Sequence, residues 1–469
     1  MKANHKFSIA LLPIALIGSG MHAQSLSPLL PNAPAAQSLL VAAAQSVPTD
    51  MSSVPAPIQG TLTLLTRQEA EKIALTNNPR IRISQLLARV QHQAVRERRA
   101  DELPNLYGNL TAVEANDGSR ISSGSLTSSS LFEHAGMGVQ VSQLITDFGR
   151  TPNLVASEEL QEKARRADAE ASREDIILAT DQVFFAVIEA QETLKVAAQT
   201  ISARQALTDQ VSALTSSKLK SDLDLSFAQV NLSQAKLMQI NGQNDLDAAR
   251  AALNAVLGYD KPMNFELVDD SDPLPPLPPD SDVLIAEAIQ NRPDLQSLKF
   301  NEQAAQKFSK AQHEQLLPTI SALGTVGGTP VGSSQFFTTN WYGAVGGNLS
   351  IPIFNGFRLT AQASEASLQA QSASEQTRAL RDQVVRDVRT AWLNANTALQ
   401  RVSVTSELLK QANTTLDLAK TRYDLGLSSI VELNQAELQQ TEAAIGNANA
   451  RSQYNFAISE IRFQTGGQP

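Results

Sequence analysis

Two carboxylates stand at the same place in a repeated pattern. Asp224 and Glu432 lie 208 residues apart, each just inside a turn and at the start of a returning helix. A helix N-terminus favours a carboxylate there. Gathered copies of such groups raise one another's pKa and attract cations, divalent ones with oxygen preference above all. Other chemistry is poorly supplied. The histidines His5, His22, His92, His134 and His313 have no metal-ligand spacing. Gly343, Gly346 and Gly347 are spaced as strand-wall residues and not as a phosphate loop. No Ser, Asp and His constellation suggests a nucleophile with its base. The chain has no cysteine, which excludes disulfides, thiolate metal sites and lipid attachment at an N-terminal cysteine. An enzyme is not expected, and neither a cofactor nor a metal is implied.

The elements that position the two carboxylates are long helices. Val388, Ala391, Ala395, Ala398, Val402, Thr405, Leu409, Ala412, Leu416, Ala419 and Tyr423 step by alternating threes and fours. So do Leu433, Ala436, Gln440, Ala443, Asn447, Ala450, Tyr454, Ala457 and Ile461, after a turn at 424–429. The mean period of 3.5 is a coiled-coil seam, and its many Ala residues let neighbouring helices approach closely. No Pro falls between Leu359 and Phe463, so nothing obliges either arm to break. Roughly 65 residues at 1.5 Å each predict a rod about 100 Å long. The hairpin occurs twice: Leu225, Ala228, Leu232, Ala235, Gln239, Gly242, Leu246, Ala249 and Leu253 repeat the returning seam, and the register holds from Arg150 to Gly258 against Arg358 to Gly466.

Each hairpin is preceded by the same plan. Thr66-Arg67-Gln68-Glu69 reads as a capping box. A helix follows Asn78-Pro79 and ends at Pro104; Arg292-Pro293 and Pro318 repeat that spacing. Between them and the hairpins the period changes to two, over strands at about 105–114 and 135–146 in the first half and 319–326 and 341–352 in the second. A Ser/Gly-rich loop is expected over 117–130. Asp147-Phe148-Gly149-Arg150 turns the chain back, with Thr151 as the expected N-cap. The division expected is a first repeat over 61–269, a Pro-rich linker over 270–280 and a second repeat over 281–467.

Composition bounds the setting. With 469 residues and a formal charge of −9, and no Lys/Arg cluster, the chain is a poor candidate for nucleic-acid binding. Residues 1–23 read as a secretory signal peptide, with Lys2 and Lys6, an apolar run from Phe7 to Ile17 and cleavage after Ala23. Residues 24–60, rich in Ala, Ser, Pro and Gln, read as a disordered N-terminal extension. No later run approaches the ~20 residues of a membrane helix. Four alternating strands do suit a bilayer, but four cannot close and open edges are not tolerated in hydrocarbon. Three copies give twelve strands; two give eight, too narrow for an open duct. A secreted coiled-coil structural protein or adhesin without channel activity explains the helices but not strand pairs at equivalent points.

These pieces resemble the TolC-like outer-membrane efflux protein family from residue 62 to 467. The resemblance is carried by the helix starts Asn78-Pro79 and Asn291-Arg292-Pro293-Asp294-Leu295, the corner Asp147-Phe148-Gly149-Arg150 and the tip Arg422-Tyr423-Asp424-Leu425-Gly426-Leu427. It implies a mainly α fold of two tandem helix-strand-strand-hairpin repeats, with three copies forming a 12-stranded β-barrel on an α-helical periplasmic tunnel. It implies an exit duct in the outer membrane of a Gram-negative bacterium, serving a tripartite efflux or type I secretion system. Implied partners are two further copies, outer-membrane lipid, a periplasmic adaptor (membrane fusion) protein and an inner-membrane transporter of RND, ABC or MFS type. The family's two acidic entrance positions map onto Glu432 and Gln435, and Asp224 holds the place of Glu432 in the first repeat; these three are the candidate constriction. Its adaptor-docking tips map onto Lys218, Leu219 and Ser221 and onto Tyr423, Leu425, Gly426 and Leu427. Two departures stand out: Lys218 occupies the place of Gly426, and the family's second acidic and its basic entrance positions are Gln435 and Ser428. The cargo is not named by any residue.

Overall fold

A computed structural model of the chain describes residues 63–113, 120–123, 126–130, 134–259, 263, 265–268, 273–330 and 339–467. The expected signal peptide and the extension over 24–60 lie outside the described residues. In order, the elements are β1 (Thr63–Leu65), α1 (Arg67–Asn77), α2 (Pro79–Ala100), β2 (Asn105–Val113), β3 (Arg120–Ser123), β4 (Leu126–Ser130), β5 (His134–Thr146), α3 (Arg150–Ser216), α4 (Asp222–Val256), β6 (Phe265–Leu267), α5 (Ser281–Asn291), α6 (Pro293–Glu314), β7 (Thr319–Pro330), β8 (Thr339–Ser350), α7 (Arg358–Asp424) and α8 (Ile430–Gln464). The molecule is mainly helical. The long helices α3 and α7 have 67 residues each, and the returning α4 and α8 have 35 each. At 1.5 Å per residue α3 and α7 are each about 100 Å long.

The seams account for the packing. Val388, Ala391, Ala395, Val402, Ala412, Ala419 and Tyr423 of α7 are buried, as are Leu433, Ala436, Ala443, Ala450, Tyr454, Ala457 and Ile461 of α8. Polar seam positions find partners inside the hairpin. Gln440 donates to the Asn413 side-chain oxygen (3.1 Å) and Asn447 to the Thr405 hydroxyl (3.2 Å), which limits the penalty of placing amides in a seam. The Pro-rich stretch lies across the second hairpin: Trp392 Nε1 donates to the Pro278 carbonyl (2.9 Å) and the Tyr454 hydroxyl to that of Pro275 (2.6 Å).

Caps explain where the shorter helices begin. Thr66 and Glu69 form a full capping box on α1. The Asn78 side chain accepts from the Arg80 N–H (3.0 Å) and donates to the Val256 carbonyl (3.0 Å), tying α2 to the end of the first hairpin. Arg292, in the second repeat, reaches Asp294 (3.0 and 2.6 Å) and Gln464 (2.5 Å). The start of α3 differs from the sequence expectation. The helix begins at Arg150, and Thr151 is not its N-cap. Asp147 caps instead, because its carboxylate accepts from the Thr151 N–H (2.7 Å) and hydroxyl (2.5 Å) and from the Gly149 N–H (3.3 Å).

One antiparallel sheet of order β2-β5-β7-β8 is shared by the two repeats, joined through the β5–β7 ladder. Its edges, β2 and β8, pair with nothing among the described residues. Strand β7 runs to Pro330, beyond the expected end at 326, because its ladder with β8 continues to Thr339. Strand β8 stops at Ser350, short of the expected 352, where Ile351 precedes Pro352 and no amide hydrogen is available. Part of the stretch expected as a Ser/Gly-rich loop is an antiparallel hairpin of β3 and β4. The chain also carries a parallel pair of β1 with β6, whose Leu65, Phe265 and Leu267 join a core with Phe184, Phe185, Leu253 and Leu257.

Candidate pore mouth and docking tips

Both hairpins end in the same turn, bond for bond. In the first, the Lys218 N–H donates to the Thr215 carbonyl (2.9 Å) and the Leu219 N–H to that of Leu214 (2.9 Å). In the second, Gly426 donates to Tyr423 (3.0 Å) and Leu427 to Arg422 (2.8 Å). This is the Schellman closure, in which the residue after the C-cap is left-handed. Lys218 has φ +61° and Gly426 +73°. A Cβ on Gly426 meets no atom within 4 Å, so backbone conformation alone selects glycine there. Lys218 holds the same conformation with a side chain, against a steric cost of about 1–2 kcal/mol.

Past each turn a serine caps the returning helix. Ser221 accepts from the Asp224 N–H (3.2 Å) and Ser429 from the Glu432 N–H (3.4 Å). The two carboxylates then part ways. Asp224 turns back to accept from the Ser221 N–H (3.3 Å), completing a capping box. Glu432 lies 3.5 Å from Arg422 on the descending helix. Asp224 and Glu432 are thus each held by their own hairpin, and Gln435 is exposed about one turn beyond Glu432. Leu219, Leu425 and Leu427 are exposed together with Leu223 and Val431, so the tips carry an apolar crown.

The two tips meet through Tyr423. It is buried with Leu207, Val211, Ala228, Ile430 and Leu433, and Lys220 of the first turn sits 4.4 Å from its ring centroid. Burial pushes the Tyr423 phenol up from its ordinary pKa, and the nearby Asp224 and Asp424 add to that. Farther along, Arg204 of α3 lies 3.7 Å from Glu437 of α8, both largely buried. Arg204 also donates to the Asn231 carbonyl (2.8 Å). Burial lowers the Arg204 pKa and raises that of Glu437, each opposed by the partner's charge. The hydroxyls of Thr200 and Thr441 lie 3.4 Å apart nearby. Together these four residues line a cavity of about 180 Å³ between the hairpins.

Sequence reasoning did not reach the contacts made by Lys220, Arg422, Arg204 and Glu437. Spacing along one chain carries no signal for the Lys220–Tyr423 and Arg204–Glu437 contacts, which join residues about two hundred positions apart. The Arg422–Glu432 pair had a readable signal, since opposite charges flank one turn.

The profile of the outer membrane efflux protein family matches residues 72–259 and 284–467, most of both repeats. The chain belongs to that family. It is an outer membrane efflux protein. Among relatives, it is 24% identical to outer membrane protein TolC of Escherichia coli over 413 residues, covering 84% of this chain and 80% of TolC. Among solved structures, CusC superposes with a TM-score of 0.75 at 21% identity, over 86% of this chain and 92% of that one. The open state of the Neisseria gonorrhoeae MtrE outer membrane channel gives 0.73 at 20%, over 86% and 89%. At these identities the structural likeness speaks for the fold. Between the two matched blocks of this efflux protein lies 260–283, which includes the Pro-rich strap over α7 and α8.

Proposed function

We propose that this efflux protein is the exit duct of a tripartite efflux or type I secretion system, and that three copies close one 12-stranded barrel above a helical tunnel. The observation that carries the proposal is the two-faced sheet with free edges. On one face the cross-strand rows read Leu106-Val141-Gly324-Val345, Gly108-Val139-Val326-Gly343 and Leu110-Met137-Gly328-Trp341. On the other they read Tyr107-Gln140-Thr325-Ala344 and Asn109-Gly138-Gly327-Tyr342. An apolar face toward lipid and a polar face toward a lumen is the pattern of a membrane barrel. With four antiparallel strands, β8 of one copy runs antiparallel to β2 of the next, so copies join without a parity mismatch. In this assembly the tips dock a periplasmic adaptor through the apolar crown, and Asp224, Glu432 and Gln435 ring the tunnel mouth. An inner-membrane transporter would select the cargo. Native mass measurement in detergent tests the assembly: a trimer is expected, and a monomer with its strand signal intact would sink it.

A further inference from the structure

The polar sheet face holds a device that the duct reading does not use. Tyr342, Gly327 and Gly138 are consecutive members of one cross-strand row. A Cβ added to Gly327 falls 3.0 Å from the Tyr342 hydroxyl oxygen and 2.7 Å from the Met137 carbonyl oxygen. One added to Gly138 falls 3.7 Å from the same hydroxyl. The tyrosine side chain therefore reaches across two neighbouring strands, in a notch that exists because both residues beneath it lack side chains. Its ring runs away from the free edge of the sheet, so a further strand at β8 leaves it uncovered, and Tyr342 is 46% exposed. No Asp, Glu, Lys or Arg occurs in β2, β5, β7 or β8. Besides the amide of Asn109, what this row offers a solute electrostatically is the negative face of the ring.

We infer that Tyr342, its ring laid flat over Gly327 and Gly138, is a contact site in the duct wall for planar aromatic and organic-cation cargo. The inference rests on the duct reading, in which this face is the lumen. The flat ring serves passage in two ways. It keeps the bore clear, because an upright tyrosine would project inward from each copy. It also presents the π face, which attracts cations and stacks with aromatic groups. Small inorganic ions meet no formal charge on these four strands.

The chain's lack of cysteine makes single-cysteine labelling clean. In reconstituted protein, Asn348→Cys, on the same face as Tyr342, is expected to react with a charged, membrane-impermeant thiol reagent. Val345→Cys, on the apolar face, is expected to be protected by lipid. The reverse pattern overturns the lumen reading itself. With that pattern established, planar-bilayer recording compares benzyltrimethylammonium with tetramethylammonium as probes. Tyr342→Leu is expected to shorten the benzyl cation's dwell about two- to five-fold while leaving tetramethylammonium and potassium currents unchanged; Tyr342→Phe retains the dwell. An aromatic ring over strand glycines also stabilises a sheet. That role alone predicts fewer assembled channels for Tyr342→Leu but an unaltered dwell in those that form. An unaltered dwell in water-labelled channels would refute the inference.

Discussion

The two hairpin tips share one backbone and stabilise it by different means. In the second, glycine supplies the left-handed residue without strain, and the carboxylate behind the turn reaches across to Arg422. In the first, Lys218 takes up the strain and Asp224 closes a capping box on its own helix. Lys220 then carries the first tip's charge over to Tyr423 of the second. Position in the repeat thus dictates the fold of the turn, while the side chains are free to diverge. The second tip is the relaxed one, tied to its own descending helix. The first is the strained one, tied outward to its neighbour.

The strongest way to break this comparison is to exchange the conformational demand. Gly426→Val places a β-branched residue at φ +73° and is expected to cost about 1–3 kcal/mol, read as a lowered unfolding midpoint in detergent. Lys218→Gly is expected to move the midpoint upward. A midpoint unchanged in both would mean that the turns do not limit stability. Next come the caps. Ser221→Ala and Ser429→Ala should each lose about 0.5–2 kcal/mol, and Asp224→Ala, which removes the bond to the Ser221 N–H, should lose more when added to Ser221→Ala; no added loss would deny the box any worth. Lys220→Met should loosen the joint between tips by about 0.5–1 kcal/mol, visible as faster amide exchange around Tyr423 and not around Leu219. The smallest effect is expected of Arg422→Gln, at most about 1 kcal/mol and fading in high salt, since Arg422 and Glu432 are both about half exposed.

Much of this architecture is legible in the sequence because it is periodic. Ala-rich steps of three and four over a hundred residues have one physical solution, and their recurrence after 208 positions yields helices of equal length in both halves. What escaped reading is short or non-local. Thr63–Leu65 and Phe265–Leu267 are triplets too brief to show alternation, and they become strands only by finding each other. Arg120–Ser123 and Leu126–Ser130 hide a hairpin in residues that otherwise signal a loop. In sequence Asp147 has the look of a turn residue, although its carboxylate reaches past the turn to cap α3. At the tips, Gly426 could be read from its turn, but Lys218 could not, since nothing local announces that a lysine will accept a left-handed conformation. The partners of Asp224 and Glu432 depend on which way two short side chains turn, and that is decided by a neighbouring backbone amide and an arginine.

The parallel pair of β1 and β6 has a consequence for the order of events in assembly. It joins Thr63–Leu65 to Phe265–Leu267, enclosing a loop of about two hundred residues. Closing such a loop from a disordered chain costs about 5 kcal/mol of chain entropy, more than a three-residue ladder returns. The pair cannot pull its own ends together. The long helices α3 and α4 must first fold back and deliver Phe265 to Thr63, and only then do the strands zip. In a chain released N-terminus first, β6 emerges before α5, so this seal can set while the second repeat is still arriving.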